Sequence, residues 1–314
     1  MDVLTGLLDG PRARNAFLLR SILEPPWSIR LQDESPLTLV AIVRGEAWAD
    51  VGDPEGPVHL REGDVAVVKG PEPYLISDEP GRPPQIVVHP GQRCTTPDGR
   101  ELHDEMMLGV RTWGNDPDGS LVMLCGTYEV DGAVSDRLLG ALPRHLVVRS
   151  DRADQRLVAL LGDEVVHDGH GQQAMLDRLL DLLLVATLRQ WFTDNPGVAP
   201  AWFVGASDPV VGPAVRLIHD EPARQWTVAS LAAEVGASRA AFARRFAEVM
   251  GEPPMTYLTN WRLALAADLL LDPGATLGSV AVRVGYSSPY ALSAAFSRVR
   301  GISPRQHRSV ALAG

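Results

Sequence analysis

The chain has 314 residues and a formal net charge of −10, enough length for two domains with sizeable cores. The charge is segregated: from Pro209 onward eleven arginines outweigh seven acidic residues, a net of +4, which leaves −14 for the rest and excludes that larger part from contact with a polyanion. Two cysteines exclude a disulfide framework, Met1-Asp2-Val3 lacks the basic-then-apolar pattern of a secretory signal, and the apolar run Leu182–Thr187 is too short to span a bilayer, so a cytoplasmic location with no membrane partner is expected.

Residues 14–130 read as strands. Leu37–Val43, Glu46–Val51, Val65–Val68, Tyr74–Ser77, Gln85–His89 and Leu121–Val130 are short, β-branched or aromatic, and separated by Gly, Pro and Asp turns. Their spacing fits a small barrel or a double-sheet roll. Within this region Trp48, Tyr74 and Trp113 are candidates to line a pocket, and Cys94 and Cys125 are the chain's two thiols. Cys94 follows Arg93, which would lower its pKa if the two face each other. His89, Cys94 and His103 are residue types that ligate zinc or nickel, at a spacing that matches no short metal motif, so no metal and no cofactor are assigned.

From Ser135 the periodicity becomes helical, through Leu138, Leu139 and Leu142, then Leu157–Val166 and Gln173–Phe192. The last carries Met175, Leu179, Leu182, Leu183, Ala186 and Trp191 at helical spacing, as a core helix or a dimer contact would. Asp194–Pro200 reads as a linker, with a second boundary at Ser207-Asp-Pro209.

The last third carries one pattern twice. Val228–Gly236, Ser238–Phe246 and Gly251–Pro254 are answered by Leu277–Gly285, Ser288–Phe296 and Gly301–Pro304. Ala232 and Gly236 match Ala281 and Gly285 at offset 49; Phe246, Gly251 and Pro254 match at offset 50, the extra residue falling in the turn. Small alanines let two helices approach, glycines end the first helix, and Ser238 and Ser288 are N-caps for the second. Phe242 with Phe246, and Leu292 with Phe296, form apolar anchors four residues apart. Each copy is a helix-turn-helix, a support helix and a second helix able to lie in a major groove.

Val280–Ser288, Phe296 and Gly301–Arg308 closely resemble the signature of AraC/XylS-type transcription regulators, over about residues 208–310. The resemblance implies two helix-turn-helix subdomains on a long helix, here Met255–Leu271 with Trp261, Leu265 and Leu269 on one face, and recognition helices at Ser238–Met250 and Ser288–Val299. It places the duplex DNA contacts on Ser238, Arg239, Ala240, Ala243, Arg244 and Arg245 in the first copy, and on Ser287, Ser288, Tyr290, Ser293 and Arg298 in the second. Many relatives carry Arg where this chain has Ala294, which points to sharper base reading by the first copy. Leu60–Val68, with Gly63-Asp64, and Gly70–Tyr74 resemble the cupin-type sensor domains found ahead of such readers, over about residues 15–130. No His-x-His of the metal-binding cupins is present.

The fold class expected is therefore α+β: an N-terminal all-β cupin-like barrel followed by helices, then a C-terminal all-α double helix-turn-helix. The anticipated domains are 1–134 for effector sensing, 135–206 for dimerisation and linkage, and 207–314 for DNA binding. The expected activity is that of a regulator, not an enzyme: a homodimer binding promoter DNA, with RNA polymerase as a further partner. A small organic effector would meet Trp48, Tyr74 and Trp113. Two alternatives stand beside it, a thiol redox sensor using Cys94 and Cys125, and a metal-dependent cupin enzyme fused to the reader.

Overall fold

The computed structural model describes residues 17–128, 133–272 and 274–311. Residues 14–16 and 129–130 of the anticipated strand region lie outside the described residues. Within the described residues the chain forms two compact units, one of 17–128 with 142–195, the other of 133–141 with 196–311.

In the first unit two sheets enclose one apolar core. The larger contains β1 (Phe17–Leu23), β3 (Leu37–Arg44), β6 (Val65–Lys69), β10 (Met107–Gly109), β11 (Thr112–Gly114), β12 (Leu121–Tyr128) and β13 (His145–Val148), in the order β10-β11-β1-β12-β3-β6-β13. The smaller contains β2 (Ser28–Leu31), β4 (Glu46–Asp50), β5 (Val58–Arg61), β7 (Tyr74–Ser77), β8 (Ile86–His89) and β9 (Arg93–Thr95), in the order β5-β4-β7-β2-β8-β9. Side chains from both sheets, among them Ile29, Ile42, Ile76 and Met123, form the common core with Trp27 from the turn before β2.

Six consecutive residues of β3, Leu37–Ile42, are buried, where a half-solvated strand would alternate. The reason lies outside the barrel. After α1 (Ala133–Ala141), which belongs to the second unit, the chain returns through β13 and continues into α2 (Gln155–Glu164) and α3 (Gln172–Asp194). These two helices pack together, α2 against β3 and α3 against β13. Gly126 of β12 makes the close approach possible: a Cβ there would lie 2.6 Å from Leu180 Cδ1 of α3. The Tyr128 hydroxyl then donates to the Leu180 carbonyl at 2.8 Å. Gly63-Asp64 closes the turn into β6, and Asp64 accepts from the Arg61 and Ser150 N–H groups and from Arg149, tying that turn to the segment after β13.

The second unit is helical: α1, α4 (Ala201–Ala206), α5 (Val211–Asp220), α6 (Val228–Glu234), α7 (Arg239–Met250), α8 (Pro254–Leu271), α9 (Leu277–Arg283), α10 (Pro289–Arg300) and α11 (Pro304–Ala311). Helix α8 is the hub. It contacts α1, α7, α9, α10 and α11, so it is buried on nearly all sides. Trp261 is buried and Leu265 and Leu269, on the same face, are half-buried, while Tyr257, Leu258, Leu263, Ala264, Ala266, Ala267 and Leu270 are buried on the other sides. His219 of α5 stacks on Trp261 at 3.9 Å and shares a 2.8 Å hydrogen bond with the Tyr257 hydroxyl. Arg308 closes the far end, donating to the Leu270 carbonyl (2.8 Å), which the C-terminal helix end leaves without an intrahelical partner, and to the Ala275 carbonyl (2.7 Å) in the loop that follows.

Candidate functional site

The two helix-turn-helix copies repeat down to their caps. Thr227 and Ser230 form a capping box on α6, and Thr276 and Ser279 form its counterpart on α9. Ser238 accepts from the Ala241 N–H at 3.3 Å, and Ser288 from the Ala291 N–H at 3.1 Å, fixing where each second helix starts. Gly251 and Gly301 end those helices in the left-handed conformation, with φ of +73° and +75°. Phe242, Phe246 and Met250 bury one face of α7; Leu292, Ala295 and Phe296 bury one face of α10.

What remains outward is the candidate nucleic-acid surface. On α7, Ala240 and Arg244 stand opposite the buried stripe, Arg239 is exposed in the first turn, and Ala243 is half-buried. Arg244 is 75% exposed and lies 3.7 Å from Glu248, a contact easily exchanged for a phosphate or a base edge. Arg245 differs. Its Nε and Nη2 donate to Asp208 at 2.9 and 2.7 Å, and that carboxylate is only 6% exposed. Asp208 also accepts from the Val210 and Val211 N–H groups at the start of α5. Burial acts to raise the Asp208 pKa; the two N–H groups and Arg245 outweigh it and hold the carboxyl below its usual range. Arg245 thus ties α7 to the start of α5 through Nε and Nη2, while its side chain stays 54% exposed.

On α10, Tyr290 is 84% exposed, Arg298 is exposed and Ser293 is half-exposed; just before it, Ser287 is exposed and the N-cap Ser288 half-exposed. Ala294 is also outward, so this position offers only a methyl group.

The two copies are braced against each other. Arg262 of α8 donates to the carbonyls of Pro222 and Arg224, each at 2.7 Å. Gln225 donates to the Gly285 carbonyl at 2.9 Å. The loop before the first copy is thereby tied to the linker helix and to the turn of the second copy. Half-burial lowers the Arg262 pKa, but a guanidinium stays charged at any working pH.

The barrel holds a separate feature, a cavity of about 570 Å³ between its sheets. Buried Ile29, Leu31, Ile76, Val88, Trp113 and Met123 line its interior, while Asp33, Gln92, Arg93, Glu101, His103 and Arg111 stand at its more exposed end. Of the three aromatic side chains expected around an effector, the cavity takes Trp113. Trp48 stacks on His59 at 4.3 Å; its neighbours Ala47 and Ala49 are buried, so alternation along β4 turns Trp48 to the outer face. Tyr74 is buried in the core, outside the cavity lining.

Both thiols line the cavity, Cys94 from β9 in the small sheet and Cys125 from β12 in the large one. Arg93 does not activate Cys94 as its position in sequence suggests: it pairs with Glu101 at 2.8 Å. Burial, aided by the Glu101 charge, pushes the Cys94 pKa up to about 11, and burial with Asp33 pushes Cys125 up to about 12. His89, named with Cys94 and His103 as possible metal ligands, hydrogen-bonds Thr95 at 2.9 Å and Gln32 at 3.3 Å through its two ring nitrogens. Among the described residues no three His, Cys, Asp or Glu side chains come together as a metal site.

Residues 2–193 match the family described as Cupin, and residues 231–309 match the family described as Helix-turn-helix domain. An AraC-like transcription regulator of Streptomyces lividans is 30% identical over 98% of each chain, and one of Streptomyces antibioticus is 28% identical over 98% of each. The chain belongs to the AraC-type transcription regulators. The solved DNA-binding domain of AdpA in complex with a target DNA is 35% identical; the match covers 33% of this chain and 93% of that one, at a TM-score of 0.32. As an AraC-type regulator, the chain binds DNA through its C-terminal helix-turn-helix domain. Among the described residues no helix is long and apolar enough to cross a membrane.

Sequence reasoning on this AraC-type reader missed four side chains that position it. Thr227 and Thr276 were legible as residues repeating at offset 49 immediately before each copy. Asp208 was legible only as a boundary before α5, because Arg245 lies 37 residues away, and Arg262 carried no local signal, because its partners lie 38–40 residues away.

Proposed function

We propose that the protein regulates transcription in the cytoplasm by gripping two successive major grooves, with an effector in the barrel changing that grip. The supporting observation is the pair of recognition helices, capped alike, with arginines or a tyrosine outward, braced on one linker helix. Arg239 and Arg244 read or hold the DNA in the first copy, with Ala240 and Ala243 leaving room for a base pair to approach. Ser287, Ser288, Tyr290, Ser293 and Arg298 position the second copy, which has less means of reading bases without an arginine at position 294.

Sensing belongs to residues 1–134, and the chain path supplies a link: β12, which lines the cavity with Met123, Cys125 and Thr127, leads within a few residues into α1. Helix α1 packs on α8, where the Arg137 guanidinium lies 5.3 Å from the Tyr257 ring centre. An effector acts only if its affinity differs between DNA-competent and other arrangements of the chain. Dimerisation uses α3, whose Met175 and Leu182 are each 53% exposed while Leu176, Leu180, Leu183 and Leu184 are buried. RNA polymerase is a further partner in this reading.

Selection of bound sequences from a random duplex pool, followed by affinity measurements on the selected site, tests the reading. Arg244→Ala should cost on the order of 1–3 kcal/mol and relax base preference. A pool that yields no enriched sequence would remove sequence-specific regulation.

A further inference from the structure

We propose that the barrel cavity selects an uncharged, largely apolar organic molecule, a class that excludes carboxylate and ammonium amphiphiles. This rests on the sensing role given above to the barrel and names the chemistry it recognises.

Three observations carry it. The interior is mostly aliphatic, aromatic or sulfur-bearing, through residues such as Leu31, Ile76, Val88 and Met123, with the neutral hydroxyls of Ser21, Thr38 and Thr127 among them, and a volume of about 570 Å³ suits a small-molecule ligand. The charges at the open end are balanced and already accompanied. Arg93 is paired with Glu101 at 2.8 Å. Asp33 accepts from the Ser35 hydroxyl at 2.6 Å and from the Gln92 amide at 3.2 Å, and Arg111 donates to the Gln173 side chain. A carboxylate entering there would gain a guanidinium but confront Asp33 and Glu101; an ammonium group would meet the converse. Neither finds a counter-ion among the buried side chains of the interior, and moving an unpaired ion into such surroundings is strongly unfavourable. Finally, the rim itself carries apolar surface: Met107, which lines the cavity, is 46% exposed, and Val110 beside Arg111 is 43% exposed. An apolar molecule covers that surface on entering. The two thiols, held protonated by burial, keep the walls uncharged at neutral pH.

The test uses the intact chain and three probes of equal length, nonan-2-one, nonanoate and nonylammonium. Each competes at pH 7 against the fluorescent apolar probe N-phenyl-1-naphthylamine, with and without the selected DNA. Nonan-2-one is expected to displace the probe at least about ten-fold better than either ion. Met107→Asp, a change at an exposed position that leaves the core intact, should weaken nonan-2-one several-fold by charging the lip. Equal or tighter binding of nonanoate or nonylammonium overturns the proposal, as does failure of all three to compete. A ketone that binds selectively without altering DNA affinity upholds the ligand class and sinks the sensing reading instead; an ion that binds best and does alter DNA affinity does the reverse.

Discussion

Gly236 and Gly285 occupy the same turn in the two copies, with φ of +68° and +80°. Replacing either by alanine carries the same left-handed backbone cost, about 1–2 kcal/mol. Their surroundings differ. Nothing lies within 4 Å of where a Gly236 Cβ would sit, whereas a Gly285 Cβ would lie 2.7 Å from the Ala223 carbonyl oxygen, 2.8 Å from the Ala223 Cα and 2.8 Å from Arg262 Nη2. Two of those three atoms are backbone, so the loop must move. Forcing a methyl group into a packed contact adds about 1–3 kcal/mol. Gly236→Ala should therefore weaken its copy by about 1–2 kcal/mol and Gly285→Ala by about 2–5 kcal/mol. Hydrogen exchange on the intact chain reads this directly, as increased exchange in α9, α10 and residues 222–226 for Gly285→Ala. Because Gln225 and Arg262 lose their register with it, Gly285→Ala should also weaken a site spanning both grooves more than Gly236→Ala does. Equal destabilisation by the two substitutions would refute the brace.

Arg245→Ala should lower stability by about 0.5–1 kcal/mol, its guanidinium being 54% exposed, and should weaken all DNA sequences alike, unlike Arg244→Ala; thermal melts and the selected site separate the two. Asp208 has a lowered folded pKa, so its contribution is present above the unfolded value, about 3.9, and is lost as pH falls through the folded one; acid unfolding of Asp208→Asn should lack that component. With thiol pKa values of about 11 and 12, Cys94 and Cys125 should alkylate slowly at pH 7, and Cys94→Ser/Cys125→Ser should answer mild oxidant as the wild type does in DNA binding. Light scattering should give a dimer that Met175→Glu/Leu182→Glu converts to monomer, since both side chains are solvent-exposed in the single chain.

Much of this architecture was legible because it is local. Short β-branched or aromatic runs between Gly, Pro and Asp turns located β3, β4, β6, β7, β8 and β12, and the repeat located α6, α7, α9 and α10. Strands β9, β10 and β11 have three residues each, too few to show a period, and β13 is a four-residue strand inside a stretch of helical character. The candidate site divided the same way. Outward positions on α7 and α10 follow from helical spacing, so Arg244 and Tyr290 were accessible to reasoning. The commitment of Arg245 to Asp208 was not, because it depends on how α5 and α7 pack. The cavity was hidden for a related reason: its walls come from both sheets, and an aromatic residue such as Trp48 can face outward from a strand whose neighbouring alanines face in.

Hydroxyl-radical footprinting of the intact protein on its selected duplex tests the central claim most directly. Two recognition helices braced on α8 predict two protected windows per protomer, about 10 bp apart on one face of the DNA, with Arg244→Ala thinning one and Tyr290→Ala the other. A single window of half a turn, or protection unchanged by both substitutions, would contradict it.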